Sequence, residues 1–346
     1  CLPDGDRLLL LAHHLVIDGV SWGVLLQDLA SCYEQASNGE ELTLPAPGLS
    51  YIQWVNQLLA FAKGNEILAD LPYWAAMEEK TKLAKKNPLL DHNDTWDNRY
   101  GSAKRYSQNL SRAETGTLLT EVNGPYNTTT EDILLVALAR ALNQLTDYAD
   151  HCLLMESHGR EAWDDSMDTA RCIGWFTSIW PFLLQLPDTD DLGYQIKSIK
   201  DGLRRVPRKG LSYQVLKNFA NKRSNRQLSF SLAPSISFNY LGELDSSLSQ
   251  GSLMAADDAI GSAVDPDAKR PCTIEISAWV INKKLHFDVN VSVSFTAIDC
   301  QQLLELWQQH TQELITHCQH HQEIEISPSD LSYSNIDLDE LEGIIS

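Results

Sequence analysis

The sequence predicts a mixed α/β (α+β) fold in two subdomains, and three observations predict it. Short apolar runs of strand length alternate with longer segments whose apolar residues recur at helical spacing. At 346 residues the chain exceeds the size at which a single core stops growing, so two units of roughly 150 to 180 residues are expected. Hydrophobic content of 43% with 21% charged residues is that of a chain with a well-filled core.

The elements follow in order. Residues 7–13 (RLLLLAH) form an apolar run suited to a buried strand, which would deliver His13 and His14 to a strand end where a turn begins. A helix is predicted over 22–36, with Val24, Leu25, Leu26, Leu29 and Tyr33 on one side, and Asn38-Gly39, Pro45 and Pro47 close it into a loop. Helical spacing returns over 51–62 and 67–77, followed by a polar stretch over 80–98 expected to be exposed loop. A helix pair comes next, over 111–122 and 131–146. Thr129 or Thr130 can cap its second member, with Glu131 and Asp132 in the first turn.

A second buried strand is predicted over 151–157, running into the polar segment Glu156-Ser157-His158-Gly159-Arg160-Glu161. The second subdomain opens with a strand over 178–186 backed by a helix over 191–205. Further strands are predicted over 235–240, 273–281 and 284–294, the last two joined through Asn282-Lys283 as a hairpin. A long helix over 297–320 follows. Residues 246–271, rich in Ser, Ala, Gly and Asp, read as a linker or crossing loop. The acidic tail after Pro328 reads as an interdomain linker or a short docking helix. No repeat of 20 to 50 residues is present.

Composition narrows the partners. With 27 Lys and Arg against 47 Asp and Glu, the formal charge of −20 repels phosphate backbones and anionic lipid surfaces, which argues against nucleic acid and membrane partners. Seven cysteines, widely spread and without a C-x-x-C pair, point to reduced thiols and a cytoplasmic setting instead of a disulfide framework or zinc ribbon. No apolar run reaches the roughly 18 to 20 residues of a membrane span. The first residues resemble no signal peptide and contain no initiator Met, so the chain is expected to be a piece of a longer polypeptide.

Two segments could carry chemistry. In His13-His14-Leu15-Val16-Ile17-Asp18-Gly19, imidazole is the side chain best poised for proton transfer near neutral pH. Asp18 could orient an imidazole or hold the turn, and Gly19 would permit a positive φ. Taken alone, two adjacent histidines are more often structural, and no third ligand at matching spacing makes a metal site. Glu156 stands at a strand end beside His158, Arg160 and Glu161, where one carboxyl could be raised in pKa while another is paired. A surface ion-pair cluster is the competing reading.

His13-His14-Leu15-Val16-Ile17-Asp18-Gly19-Val20-Ser21-Trp22 resembles the histidine signature of the condensation superfamily of nonribosomal peptide synthetases, in the Val-Ser-Trp form of its epimerization branch. Further segments agree in order. Asp132-Ile133-Leu134-Leu135-x-Ala137, Glu156-Ser157-His158-Gly159-Arg160-Glu161 and Arg171 through Pro181 (RCIGWFTSIWP) are similar to successive epimerization motifs. Arg205-Val206-Pro207-x-x-Gly210 and Phe238-Asn239-Tyr240-Leu241-Gly242 complete the series. Departures are Gly23 for Arg, Ser157 for Gly, Trp180 for Tyr, and Ser212 and Gln214 for two glycines.

The resemblance implies two chloramphenicol-acetyltransferase-like subdomains in a V, with a tunnel between them. It places the end of the first, with the histidine motif, at 1–165, the second at 166–326 and an acidic linker or docking tail at 327–346. The family carries a longer stretch before the histidine motif, so the first subdomain is expected to be incomplete. The implied reaction inverts, L to D, the α-carbon of an aminoacyl or peptidyl thioester. His14 and Glu156 are then catalytic, and His13, Ser21, Asn239 and Tyr240 contact substrate. Asp18, Gly19, Trp22 and Arg160 shape the motif loops.

No metal or bound cofactor is implied, because the phosphopantetheine arm belongs to a partner carrier domain. That carrier domain is expected upstream in the same polypeptide, with a condensation domain downstream of the tail. Two alternatives stand beside this reading: an amide-forming condensation domain, and a catalytically silent carrier-docking module.

Overall fold

In the computed structural model, residues 6–83, 98–161, 167–220, 229–244, 253–254, 256, 258, 260–292, 299–321, 323–331 and 336–345 are described. Alternation of apolar and polar residues gives Ile274–Ile281 (β5) and Lys284–Ser292 (β6) one buried face, carrying Ile274, Ile276, Ala278 and Val280 opposite Leu285, Phe287, Val289 and Val291. Asn282 and Lys283 join them with φ of 53° and 61°, as a two-residue hairpin of matching twist requires. Around this hairpin Ala103–Asn109 (β1), Asp150–Ser157 (β2), Ser178–Gln185 (β3) and Ile236–Glu243 (β4) complete a sheet in the order β1-β6-β5-β4-β2-β3. The β2-β4 and β4-β5 pairs are parallel and the others antiparallel. β2 and β3, which lie on either side of residue 165, are hydrogen-bonded neighbours in this one sheet.

The helices are Gly19–Ser37 (α1), Tyr51–Lys63 (α2), Leu71–Leu83 (α3), Arg112–Thr120 (α4), Thr130–Thr146 (α5), Leu192–Arg204 (α6), Leu211–Asn218 (α7), Cys300–His320 (α8) and Leu338–Ile345 (α9). α5 is apolar almost all round and is buried nearly throughout, as a helix at the centre of a core must be. α8 packs beside it. The fully buried Trp307 of α8 donates from Nε1 to the Leu134 carbonyl at 2.9 Å and lies against Phe287 and Phe238, with ring centroids 4.6 and 6.1 Å away.

Three expectations are corrected. Residues 7–13 form no strand: Leu8, Leu9 and Leu11 are 66%, 67% and 91% exposed. A strand needs a paired backbone and an apolar surface to lie on, and among the described residues neither flanks this run. Gly19 does not take a positive φ but opens α1 as an ordinary helical residue. The helix expected over 67–77 divides into a short 3-10 turn, Glu66–Asp70, followed by α3. Pro72, at the second position of α3, supplies no N–H and so suits a helix start.

Two elements go beyond the pattern in the sequence. β1 (AKRYSQN) is a polar edge strand with little burial, and α7 follows a tight turn in which Arg208, Lys209 and Gly210 all take positive φ. Residues 84–97 of the expected polar loop and 246–252, 255, 257 and 259 of the expected crossing segment lie outside the described residues.

Candidate active site

Asp18 ends the histidine motif by capping α1: its carboxylate accepts from the Ser21 amide at 2.8 Å and from the Phe176 amide at 3.2 Å. Arg160 reaches it from the segment that follows β2, with one guanidinium nitrogen 2.9 and 3.2 Å from the two carboxylate oxygens and 2.9 Å from the Ser21 hydroxyl. Its other terminal nitrogen donates to the carbonyls of Thr169 and Cys172, both at 2.8 Å. The guanidinium also lies 4.1 Å from the centre of the Phe176 ring, a cation-π contact. Burial pushes the Asp18 carboxyl up, but its bonds to Ser21 and Phe176 together with Arg160 outweigh burial and hold it below the usual carboxylate range.

Gly159 makes this clasp possible. Its φ is +64°, and a Cβ there would stand 1.7 Å from the Phe176 carbonyl oxygen.

The histidines sit on the adjoining turn, His14–Val16, where His13 Nδ1 accepts from the Leu15 amide at 3.1 Å. Both are exposed. The His14 ring meets Trp175 edge-on, centroids 5.3 Å apart at 62°. Trp175 is held in turn by its carbonyl, which accepts from the Tyr51 hydroxyl at 2.8 Å.

Glu156 stands at the end of β2. The parallel register pairs Met155 with Phe238, so the next residues, Glu156 and Asn239, face the same side of the sheet. Asn239 Nδ2 donates to the Glu156 carboxylate at 2.8 Å. Burial raises the Glu156 pKa, with His14 pulling it down and Glu275 adding to the rise. Burial likewise pushes the Tyr240 phenol up to about 12, against a bond from Thr130 and with help from Glu243 and Glu131. Tyr240 is therefore a neutral donor near pH 7.

These residues face a cleft of 2270 Å³ whose walls include Asp18, Gly19, Trp22, Glu156, Asn239 and Tyr240. Neither histidine is among the lining residues: His14 bears on the charge of Glu156, and His13 has its Nδ1 engaged in the turn. Ser21 is fully buried, its hydroxyl bonded to Gly174 and Arg160. The structure thus places Ser21 and Arg160 in the clasp behind the cleft wall. Among the described residues no group of three His, Cys, Asp or Glu side chains is placed to hold a metal, and no helix is long and apolar enough to cross a membrane.

Residue-level reading missed the parts played by Trp175, Phe176 and Glu131. The first two lie in a motif whose order was visible but whose contacts were not. Glu131 has the sequence context of an ordinary first-turn acid.

Comparison with known proteins adds to this geometry. The family model for the condensation domain matches residues 3–336. The chain is 34% identical over 343 residues to surfactin synthase subunit 1 of Bacillus subtilis (strain 168), covering 99% of this chain and 10% of that protein. Gramicidin S synthase 1 of Brevibacillus brevis is 34% identical over 352 residues, covering 99% of this chain and 32% of that protein. The chain therefore spans about a third or less of these relatives.

Among solved structures, the epimerization domain from the third module of tyrocidine synthetase B superposes with a TM-score of 0.81 at 33% identity, over 90% of this chain and 69% of that one. VibH, a condensation enzyme of nonribosomal peptide synthesis, shares the fold with a TM-score of 0.60 at 18% identity, over 88% of this chain and 66% of that one. The match of the family model over residues 3–336, together with these relatives and this fold, places the chain in the condensation-domain family.

Proposed function

We propose that this domain inverts the α-carbon of an aminoacyl or peptidyl group held as a thioester on the phosphopantetheine arm of a carrier domain. The observation that carries the reading is Glu156, a carboxylate of raised pKa held in the cleft by Asn239 and within electrostatic reach of His14. Its likeness to a structure that is itself an epimerization domain supports it.

A thioester carbonyl acidifies the α C–H bond, yet removing that proton still needs a base and a site that tolerates the enolate. A carboxylate made more basic by burial is a better proton acceptor. Glu156 takes the α-proton from one face and the C–H electron pair passes to the thioester oxygen; that pair then returns to the α-carbon as it takes a proton from His14 on the opposite face. The reverse direction uses the same groups with roles exchanged, and solvent restores their protonation. In this reading Tyr240, a neutral phenol, and Asn239, both lining the cleft, donate to the developing enolate oxygen. Asp18, Gly19, Trp22 and Arg160 shape the wall.

The carrier domain is proposed as an upstream partner in the same polypeptide, with the tail leading to a downstream condensation domain and the whole residing in the cytoplasm. Amide formation is the second reading, because the family model is that of condensation domains.

Incubating the chain with a carrier-bound aminoacyl thioester in deuterated solvent tests both. Wild type exchanges the α-proton and yields both enantiomers, and Glu156→Gln loses this activity. Full-rate exchange by the Gln variant sinks the reading. Peptide product from donor and acceptor carriers without any D-residue favours condensation.

A further inference from the structure

Glu131 is the second residue of α5, and its side chain lines the same cleft as Glu156, Asn239 and Tyr240. An acid in a first helical turn ordinarily complements the exposed N–H groups, but here that work is done by its neighbours. Thr129 caps the helix and Asp132 completes the reciprocal box. Asp132 is also wholly buried and clamped by both terminal nitrogens of Arg204.

The charged groups bearing on Glu131 are Asp132 on its own helix, Arg204 of α6 and Lys209 of the turn before α7. Both cations are engaged elsewhere, Arg204 with Asp132 and Lys209 with Glu161 at 3.1 Å. Among the described residues no ion pair or hydrogen bond fixes the Glu131 carboxylate itself. Burial, and then Asp132, push its carboxyl up to about 7 in spite of Arg204 and Lys209. Such a group ionises at a cost that an arriving cation removes.

Position indicates which cation. Glu131 bears on the phenol of Tyr240, and Asn239, next along β4, holds Glu156. The cleft lining thus includes Glu131, whose carboxylate has no ion pair among the described residues, the neutral phenol of Tyr240 beside it and the carboxylate of Glu156. The α-carbon of the proposed substrate carries three matching features: a nitrogen, a carbonyl and a C–H bond. That nitrogen is a free ammonium in an aminoacyl group and a neutral amide in a peptidyl group.

We infer that Glu131 determines specificity by receiving the free α-ammonium, so that the site prefers aminoacyl to peptidyl thioesters. This rests on the epimerization reading and deepens it.

The test compares two substrates on one carrier, an aminoacyl thioester with a free amine and its N-acetylated counterpart, by deuterium exchange at the α-carbon. Wild type favours the free amine. In Glu131→Gln the ratio of the two rates falls about tenfold or more, as expected for loss of a hydrogen bond to a charged group, and Glu131→Asp retains the preference. A ratio unchanged in the Gln variant overturns the inference while leaving epimerization standing. Wild type exchanging neither substrate overturns both.

Discussion

Arg160 and Asp18 lie 142 positions apart in the chain and meet at 2.9 Å, with both side chains almost wholly buried. Asp18 follows His14 by four residues, and Arg160 follows Glu156 by four. The pair therefore ties the two loops that carry the proposed proton-exchange groups. Removing one member of a buried pair leaves the other charge uncompensated, at a cost of about 3 to 5 kcal/mol. Arg160→Met and Asp18→Asn are each expected to lose stability of that order in urea unfolding. The double variant should lose less than the sum, since neither charge is then stranded.

Gly159→Ala should unfold far more easily than Gly19→Ala. At 159 the side chain meets the Phe176 carbonyl at 1.7 Å on a backbone with φ of +64°, whereas a Cβ at 19 meets nothing within 4 Å. The left-handed conformation alone costs a residue with a Cβ about 1 to 2 kcal/mol, and the clash with backbone adds to it. Gly19→Ala replaces a poor helix former by the best one, so thermal melting of that variant is expected at or above the wild-type temperature.

Glu156 makes stability fall with rising pH. Its folded-state pKa is raised by burial, so the folded chain still holds this proton where the unfolded chain has lost it. Stability contributed by the neutral form is present below the ordinary glutamate value of about 4.3 and is lost as pH climbs toward the folded value. Glu156→Gln is therefore expected to be more stable than wild type at neutral pH, with the difference vanishing below about pH 4. Equal stability across that window in paired urea titrations would falsify the assignment of a desolvated carboxylate.

How far the sequence showed this structure depends on what each residue's signal is about. Periodicity is local, and it marked α5, α8 and the β5-β6 hairpin to within a few residues because their apolar faces are continuous and their caps and turn residues are distinctive. β1 escaped because an edge strand with one weakly buried face has almost no apolar alternation. The 7–13 run misled for the converse reason: it has strand composition, but pairing is a property of neighbours. In the candidate site the order of motifs made Glu156 and His14 conspicuous. Nothing local distinguishes Ser21, which is buried in a clasp, from a serine facing substrate, nor Glu131, which faces the cleft, from an ordinary first-turn acid.

Glu78 supplies the opposite pH dependence to Glu156. Its carboxylate, nearly buried on α3, accepts from the Ser229 and Ser231 amides at 3.0 and 3.1 Å and from the Ser231 hydroxyl at 2.8 Å, with Lys82 3.0 Å away. Burial alone would raise its pKa, but bonds to the charged form from the Ser229 hydroxyl, Lys82 and the Ser231 hydroxyl and amide outweigh burial and bring it to about 2. The stabilisation is thus present above the unfolded value of about 4.3 and is lost as pH falls through the folded one. Glu78→Gln keeps the shape, but its amide cannot accept from all of these donors as a carboxylate does. The variant is expected to be less stable than wild type at neutral pH by on the order of 2 to 3 kcal/mol. That gap should narrow steadily between about pH 4 and pH 2, and urea unfolding across the window measures it. A gap independent of pH would show that Glu78 holds the 229–231 segment by shape and not by charge.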